Sequence, residues 1–157
     1  ELKLMKKLLF LLCLITASCS YNSTEDQYYV FDEETWNSDS IVQFSITCKD
    51  STDLHKLTLN VRHTTDYKFQ NLYLFTHFLG VLDTVELIIS EKNGKWKGRG
   101  IGDAREISLV LKKEFYFEKN GDYSLTLEQA MRYGNKNKIS KLKGLIAVGL
   151  SVEKINE

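Results

Sequence analysis

Proline is absent from all 157 residues, an oddity for a loop-rich secreted domain, and no proline-rich stretch marks a linker or a domain boundary. Cysteine is scarce. Cys13 and Cys19 fall within or directly after an N-terminal apolar segment, which leaves Cys48 without a partner and excludes an intrachain disulfide. An excess of one charge is also missing, with 21 Lys and Arg against 21 Asp and Glu. Such a chain has no strong field to draw nucleic acid and carries no DNA- or RNA-binding motif, so nucleic acid is excluded as its partner. Beyond the N-terminal segment no apolar run is long enough to cross a bilayer as a helix. The chain contains no HExxH zinc motif and no nucleophile elbow.

What is present begins with Met5 to Cys19. Lys6 and Lys7 form a short positive region, Leu8 to Ile15 an apolar run of signal-peptide length, and Thr16, Ala17 and Ser18 a small-residue site before Cys19. This order is that of a bacterial lipobox, in which the cysteine is acylated and the preceding peptide removed. Thr16 stands where leucine is commonest. The expected organisation is therefore upstream residues and signal peptide over 1–18, a lipidated tether over 19–27 and one domain over 28–157. Anchoring through several acyl chains would hold that domain on a membrane. Ser20 after the cysteine, in place of an acidic residue, points to the outer membrane and its periplasmic side. The removed part takes Lys3, Lys6, Lys7 and Glu1, so the domain stays near neutral.

From Tyr28 onward, period-two alternation dominates, as in half-buried strands. Val42, Phe44, Ile46 and Cys48 share one parity, which turns Cys48 inward as an inert thiol. Leu57, Leu59 and Val61 alternate with polar residues. Leu72 to Leu79 is apolar on both parities and reads as a central strand covered on both faces. Val85, Leu87 and Ile89 follow, then a turn at Lys92-Asn93-Gly94, where Asn-Gly accepts positive φ. Ile107, Leu109, Leu111, Phe115 and Phe117 keep one parity along a long strand. Asn120-Gly121 turns the chain into Tyr123, Leu125 and Leu127, and Ile146, Val148, Leu150 and Val152 form the last strand. Asn135 to Lys143 reads as a polar loop, and Glu128 to Tyr133 is the one helix-like piece. The expected fold class is all-β, an antiparallel β-sandwich of about eight strands with jelly-roll or immunoglobulin-like connectivity. Phe44, Leu59, Leu74 and Leu125 are expected in its core.

Candidate chemistry is sparse. The glycines of Gly98-Arg99-Gly100-Ile101-Gly102 are not spaced as a dinucleotide fingerprint and open no helix, while Trp96 follows Gly94-Lys95 where a P-loop needs Ser or Thr. Turn and close-packing roles fit these glycines better. His55, His63 and His77 lack neighbouring ligands at metal-binding spacing and read as rim or surface residues. No catalytic residue, metal or cofactor is assigned, and the chain is read as a non-enzyme. The aromatics draw more attention. Trp96, set between Lys95 and Lys97 with Arg99 nearby, is expected to be partly exposed, and these four residues are the candidate partner-binding surface.

Seven stretches taken in order carry a resemblance. They are Val61-Arg62-His63, Tyr67 to Phe75 (YKFQNLYLF), Asp83-Thr84-Val85, Gly94 to Asp103 (GKWKGRGIGD), Gly121-Asp122-Tyr123, Glu128 to Arg132 (EQAMR) and Gly144 to Val152 (GLIAVGLSV). Behind a lipobox, this set resembles the GldH family of gliding-motility lipoproteins of the Bacteroidota, through nearly the whole mature chain. The missing proline and Lys97 beside Trp96 depart from the family pattern. The resemblance implies a cell-envelope lipoprotein that works with other motility lipoproteins and the type IX secretion machinery, with no catalytic residue. A carbohydrate-binding lipoprotein of a polysaccharide-uptake system is the alternative, resting on the sandwich and the aromatics.

Overall fold

The computed structural model describes residues 24–135 and 137–155. The alternating segments become ten antiparallel strands: β1 (Thr24–Val30), β2 (Thr35–Asn37), β3 (Val42–Cys48), β4 (Leu54–Thr64), β5 (Asn71–Phe78), β6 (Val81–Ile88), β7 (Ala104–Phe115), β8 (Gly121–Gln129), β9 (Lys141–Lys143) and β10 (Leu145–Ile155). Two of these, β2 and β9, form a small separate ribbon, so the main sandwich has the eight strands that the alternation implies. One sheet runs β1-β10-β4-β7 and the other β3-β8-β5-β6.

The pairing is nested. β5 pairs with β6, β4 with β7, β3 with β8 and β1 with β10. The chain is thus one long hairpin whose tip is the β5–β6 turn, rolled up so that β10 also meets β4 and β8 also meets β5. That is jelly-roll connectivity. Turn chemistry and alternation are the same in both sandwich types, so only long-range pairing separates them.

Between the sheets the inward parity builds one core. Phe44, Ile46, Leu57, Leu59, Val61, Leu72, Leu74, Leu125, Leu127, Val148 and Leu150 are all buried, as is Cys48. Trp36 adds the largest buried side chain, stacked on Phe31 at 4.8 Å, and its indole N–H donates to the Ser40 carbonyl at 3.0 Å.

Four expectations are corrected. β5 is an interior strand of its sheet but is covered on one face only, with Leu72, Leu74 and Phe78 inside and Tyr73, Phe75 and His77 outside. Aromatic residues count as apolar on either face, and this masks the alternation. Glu128 to Tyr133 is not helical: β8 continues to Gln129, whose buried amide donates to Ile139 O at 2.5 Å and accepts the Met131 N–H at 3.1 Å. Six residues nucleate a helix poorly, and tertiary hydrogen bonds win. The tether expected to run to Gln27 is shorter, because Thr24 to Gln27 already pair with Glu153 to Leu150. Their polarity reflects an edge strand, and Gln27 bridges the two sheets by donating to Ser45 O at 2.5 Å. Finally, His63 is fully buried, whereas His77 is exposed and His55 half-buried.

The two ends of the sandwich differ. Segments 31–41, 65–70, 89–103 and 130–144, three of them long, gather at one end, and the tight turns 49–53, 79–80 and 116–120 at the other. Thr24, the first described residue, lies at the tight-turn end, since it pairs with Glu153 and Glu153 pairs with Lys56 near the start of β4.

Candidate functional site

Loops on a rigid sandwich are where binding residues collect, and the predicted hairpin lies among the long ones. Glu91 and Lys95 close its turn, with Glu91 N–H donating to Lys95 O at 2.8 Å and Gly94 N–H to Glu91 O at 2.9 Å. The Asn93 side chain accepts the Lys95 N–H at 2.9 Å, and Gly94 takes the positive φ of 86° that the Asn-Gly turn requires. Trp96 then bridges to Ser90.

From Gly98 to Gly100 the chain lies flat against the start of β7. Arg99 N–H donates to Glu106 O at 3.0 Å and Glu106 N–H to Arg99 O at 2.8 Å. A Cβ on Gly98 would sit 2.2 Å from Glu106 O, and one on Gly100 1.9 Å from Ala104 O. These glycines therefore permit a backbone approach that covers part of an edge strand.

Trp96 is half-buried, as expected for a partly exposed residue, but its inner face packs on the core. Its indole lies 5.1 Å from the His63 imidazole, and His63 lies 6.1 Å from Tyr67. Tyr67 continues to Phe69 at 5.7 Å, and Phe69 to exposed Tyr133 at 6.0 Å. An aromatic file thus crosses this end from the hairpin to the outer face of the β3-β8-β5-β6 sheet. Sequence reasoning missed it, because its members come from four separate segments.

His63 is the unusual member. Its Nδ1 lies 2.9 Å from Thr64 O, which makes Nδ1 the protonated nitrogen, and the buried Nε2 has no partner among the described residues. Burial depresses its pKa, and the charge of Arg105 adds to this against the Thr64 hydrogen bond. Burial likewise raises the Tyr67 phenol well above its ordinary value, and its O–H donates to Asn71 O at 2.9 Å.

The exposed side chains that flank Trp96 directly in the sequence are basic. Lys95, Lys97 and Arg99 are solvent-facing, and none of the three forms an ion pair among the described residues. Where the aromatic file ends, Phe69, Tyr73, Phe75, Met131 and Arg132 line a shallow groove of about 430 Å³. Tyr73 and Phe75 are 38% and 36% exposed, and Asn71 donates to Glu86 at 2.6 Å on the groove's flank.

The other sequence candidates stay apart. His55 and His63 occupy opposite ends of β4 and His77 the other sheet, and among the described residues no three His, Cys, Asp or Glu side chains converge. Cys48 is buried and its thiol pKa is raised by burial. Cys19 lies outside the described residues.

The model of the GldH lipoproteins matches residues 23–152. The chain belongs to the GldH lipoprotein family. Lipoprotein membership places it in the cell envelope on a lipid anchor. The chain is similar to the gliding motility lipoprotein GldH homolog of Christiangramia forsetii, 34% identical over 147 residues and covering 90% of both chains. It is also similar to the gliding motility lipoprotein GldH of Flavobacterium johnsoniae, 29% identical over 152 residues and covering 93% of this chain and 94% of that one. Among solved structures, this GldH-family chain resembles part of dimeric latent PorU from Porphyromonas gingivalis, with a TM-score of 0.40 and 7% identity. It covers 14% of that protein, against 88% of its own length. A family GH115 glucuronidase, BtGH115A, gives a TM-score of 0.44 at 11% identity, over 90% of this chain and 18% of that one. Likenesses this weak bear on neither fold nor function.

Proposed function

We propose that this chain is a non-catalytic component of the gliding-motility machinery, acylated on Cys19, which holds a protein partner through the loop-rich end of its sandwich. The reading is supported by one geometric observation: the long loops and the basic, aromatic surface of Lys95, Trp96, Lys97 and Arg99 gather at the end opposite Thr24. An anchor at Cys19 therefore presents that surface away from the bilayer. Half-buried tryptophan with free basic neighbours suits a hot spot for an acidic protein surface. Other motility lipoproteins and components of the type IX secretion machinery are the partners proposed, at the periplasmic side of the outer membrane.

A photocrosslinker at position 97 in living cells tests this. Capture of an envelope protein, lost when Lys95 and Arg99 are changed together to Glu in the same chain, is the expected result. Capture of nothing, or of the same proteins by the charge-reversed chain, removes the hairpin as the binding surface. Metabolic labelling with a fatty-acid analogue should tag the native chain and not Cys19→Ala.

A second reading keeps the polysaccharide alternative. The groove beside Tyr73 and Phe75 supports it, since two aromatic faces flanked by Asn71, Glu86 and Arg132 suit stacking and hydrogen bonding of sugar rings. A glycan array in which Tyr73→Ala abolishes a hit would favour it over the motility reading.

A further inference from the structure

The tight-turn end carries a feature that neither local conformation nor packing explains. The β5–β6 turn has two central residues, Leu79 at φ 52° and Gly80 at φ 75°, between the paired Phe78 and Val81. Positive φ at both positions is the conformation for which Asn-Gly is favoured, and a leucine there is strained. Burial does not compensate, because Leu79, Val81 and Leu82 are 37%, 58% and 75% exposed. Exposed Tyr116 lies on the β7–β8 connection at the same end, next to Phe115, whose ring packs on Phe78 at 5.7 Å. The start of β1 is at this end too, because Thr24 pairs with Glu153, Glu153 with Lys56, and neighbouring His55 with Phe115.

We infer that this end is a membrane-docking surface, with Leu79, Val81 and Leu82 entering the bilayer that holds the anchor and Tyr116 lying at headgroup depth. The inference rests on Cys19 as the acylated residue. Five residue steps separate Cys19 from Thr24, so the chain reaches at most about 18 Å and holds this end against the surface. Little room remains there for a folded partner. Lys49, Lys112, Lys113 and Lys119 at this end are offset by Asp50, Asp83, Glu114, Glu118 and Asp122, and Lys154 pairs with Asp53 at 2.7 Å, so no net positive charge draws anionic lipid and the attraction is apolar. Apolar side chains at an exposed tip and an interfacial tyrosine are what a membrane interface accepts and what water disfavours. The strain at Leu79 is then the cost of presenting a leucine at the apex of the turn.

The test places a photoreactive residue at position 82, and as control at position 95 on the opposite end, in the mature chain. The chain is coupled through Cys19 to a maleimide lipid in phosphatidylcholine vesicles, Cys48 being buried. Because the anchor is supplied chemically, the outcome is independent of acylation in the cell, which fatty-acid labelling reads separately. Lipid adducts at 82 should exceed those at 95 about tenfold and persist in high salt. Leu79→Asn should keep or raise the melting temperature while lowering the adduct yield at 82, and Val81→Asp should lower it in a chain that still folds. Equal yields at 82 and 95, adducts untouched by Val81→Asp, or capture of a protein rather than lipid at 82 in intact cells would overturn the inference.

Discussion

The His63 imidazole and the Trp96 indole lie 5.1 Å apart at 51°, and this contact joins the β4 core to a glycine-rich loop thirty-odd residues further along the chain. Trp96 closes the end of the sandwich over a histidine whose Nε2 has no partner among the described residues. It is at once the lid of a buried imidazole and the centre of an exposed basic surface.

Trp96→Ala should therefore destabilise the fold by about 1–3 kcal/mol, less than full truncation of a buried aromatic but well outside the surface range. Lys95→Ala, Lys97→Ala and Arg99→Ala should each stay within about 0.5 kcal/mol. Urea midpoints of the four variants check this. Partner capture lost in the lysine and arginine variants at unchanged stability separates the binding surface from the packing beneath it.

The depressed pKa of His63 makes stability pH-dependent with a definite sign. The unfolded histidine titrates near its ordinary value of about 6.5 and the folded one below it, so the unfolded chain takes up the proton first. This contribution is fully present above pH about 6.5 and is lost as pH falls from there through the folded pKa. Urea midpoints at several pH values from mildly alkaline to mildly acidic should fall more steeply for the native chain than for His63→Phe. Equal slopes would mean that His63 titrates alike in both states.

Gly100→Ala should lift the loop from β7, because the new Cβ meets a backbone carbonyl that cannot turn aside. A cost of about 1–3 kcal/mol is expected for such overpacking. Hydrogen exchange locates the effect: the Arg99 and Glu106 amides, which now donate across the bridge, should lose protection while β4 and β10 keep theirs.

Leu59→Ala and Leu125→Ala, at fully buried positions on facing sheets, should each cost about 2–5 kcal/mol. Against a domain stability of about 5–15 kcal/mol, the double variant should be largely unfolded by circular dichroism.

The strands, their inward faces and the main turns were legible because each rests on local chemistry: alternation for Phe44 and Leu59, Asn-Gly for the turn at Gly94. Trp96 was legible as a singular residue for the same reason, a large aromatic between two lysines. Three of the four errors share one cause, that side-chain polarity does not by itself tell inside from outside. Tyr73 and Phe75 are apolar yet face out, His63 is polar yet faces in, and Thr24 to Gln27 are polar yet belong to a ladder.

The sequence by itself determined an all-β sandwich, its principal core, its family and the residues proposed for anchor and hairpin. Tertiary structure alone decided the nested jelly-roll pairing, the aromatic file from Trp96 to Tyr133, and the placing of Leu79 and Thr24 at one end with the long loops at the other. Period and turn chemistry are properties of neighbours in the chain. Which strand lies beside which, and which side chains meet across a sheet, depends on residues tens of positions apart packing into one core.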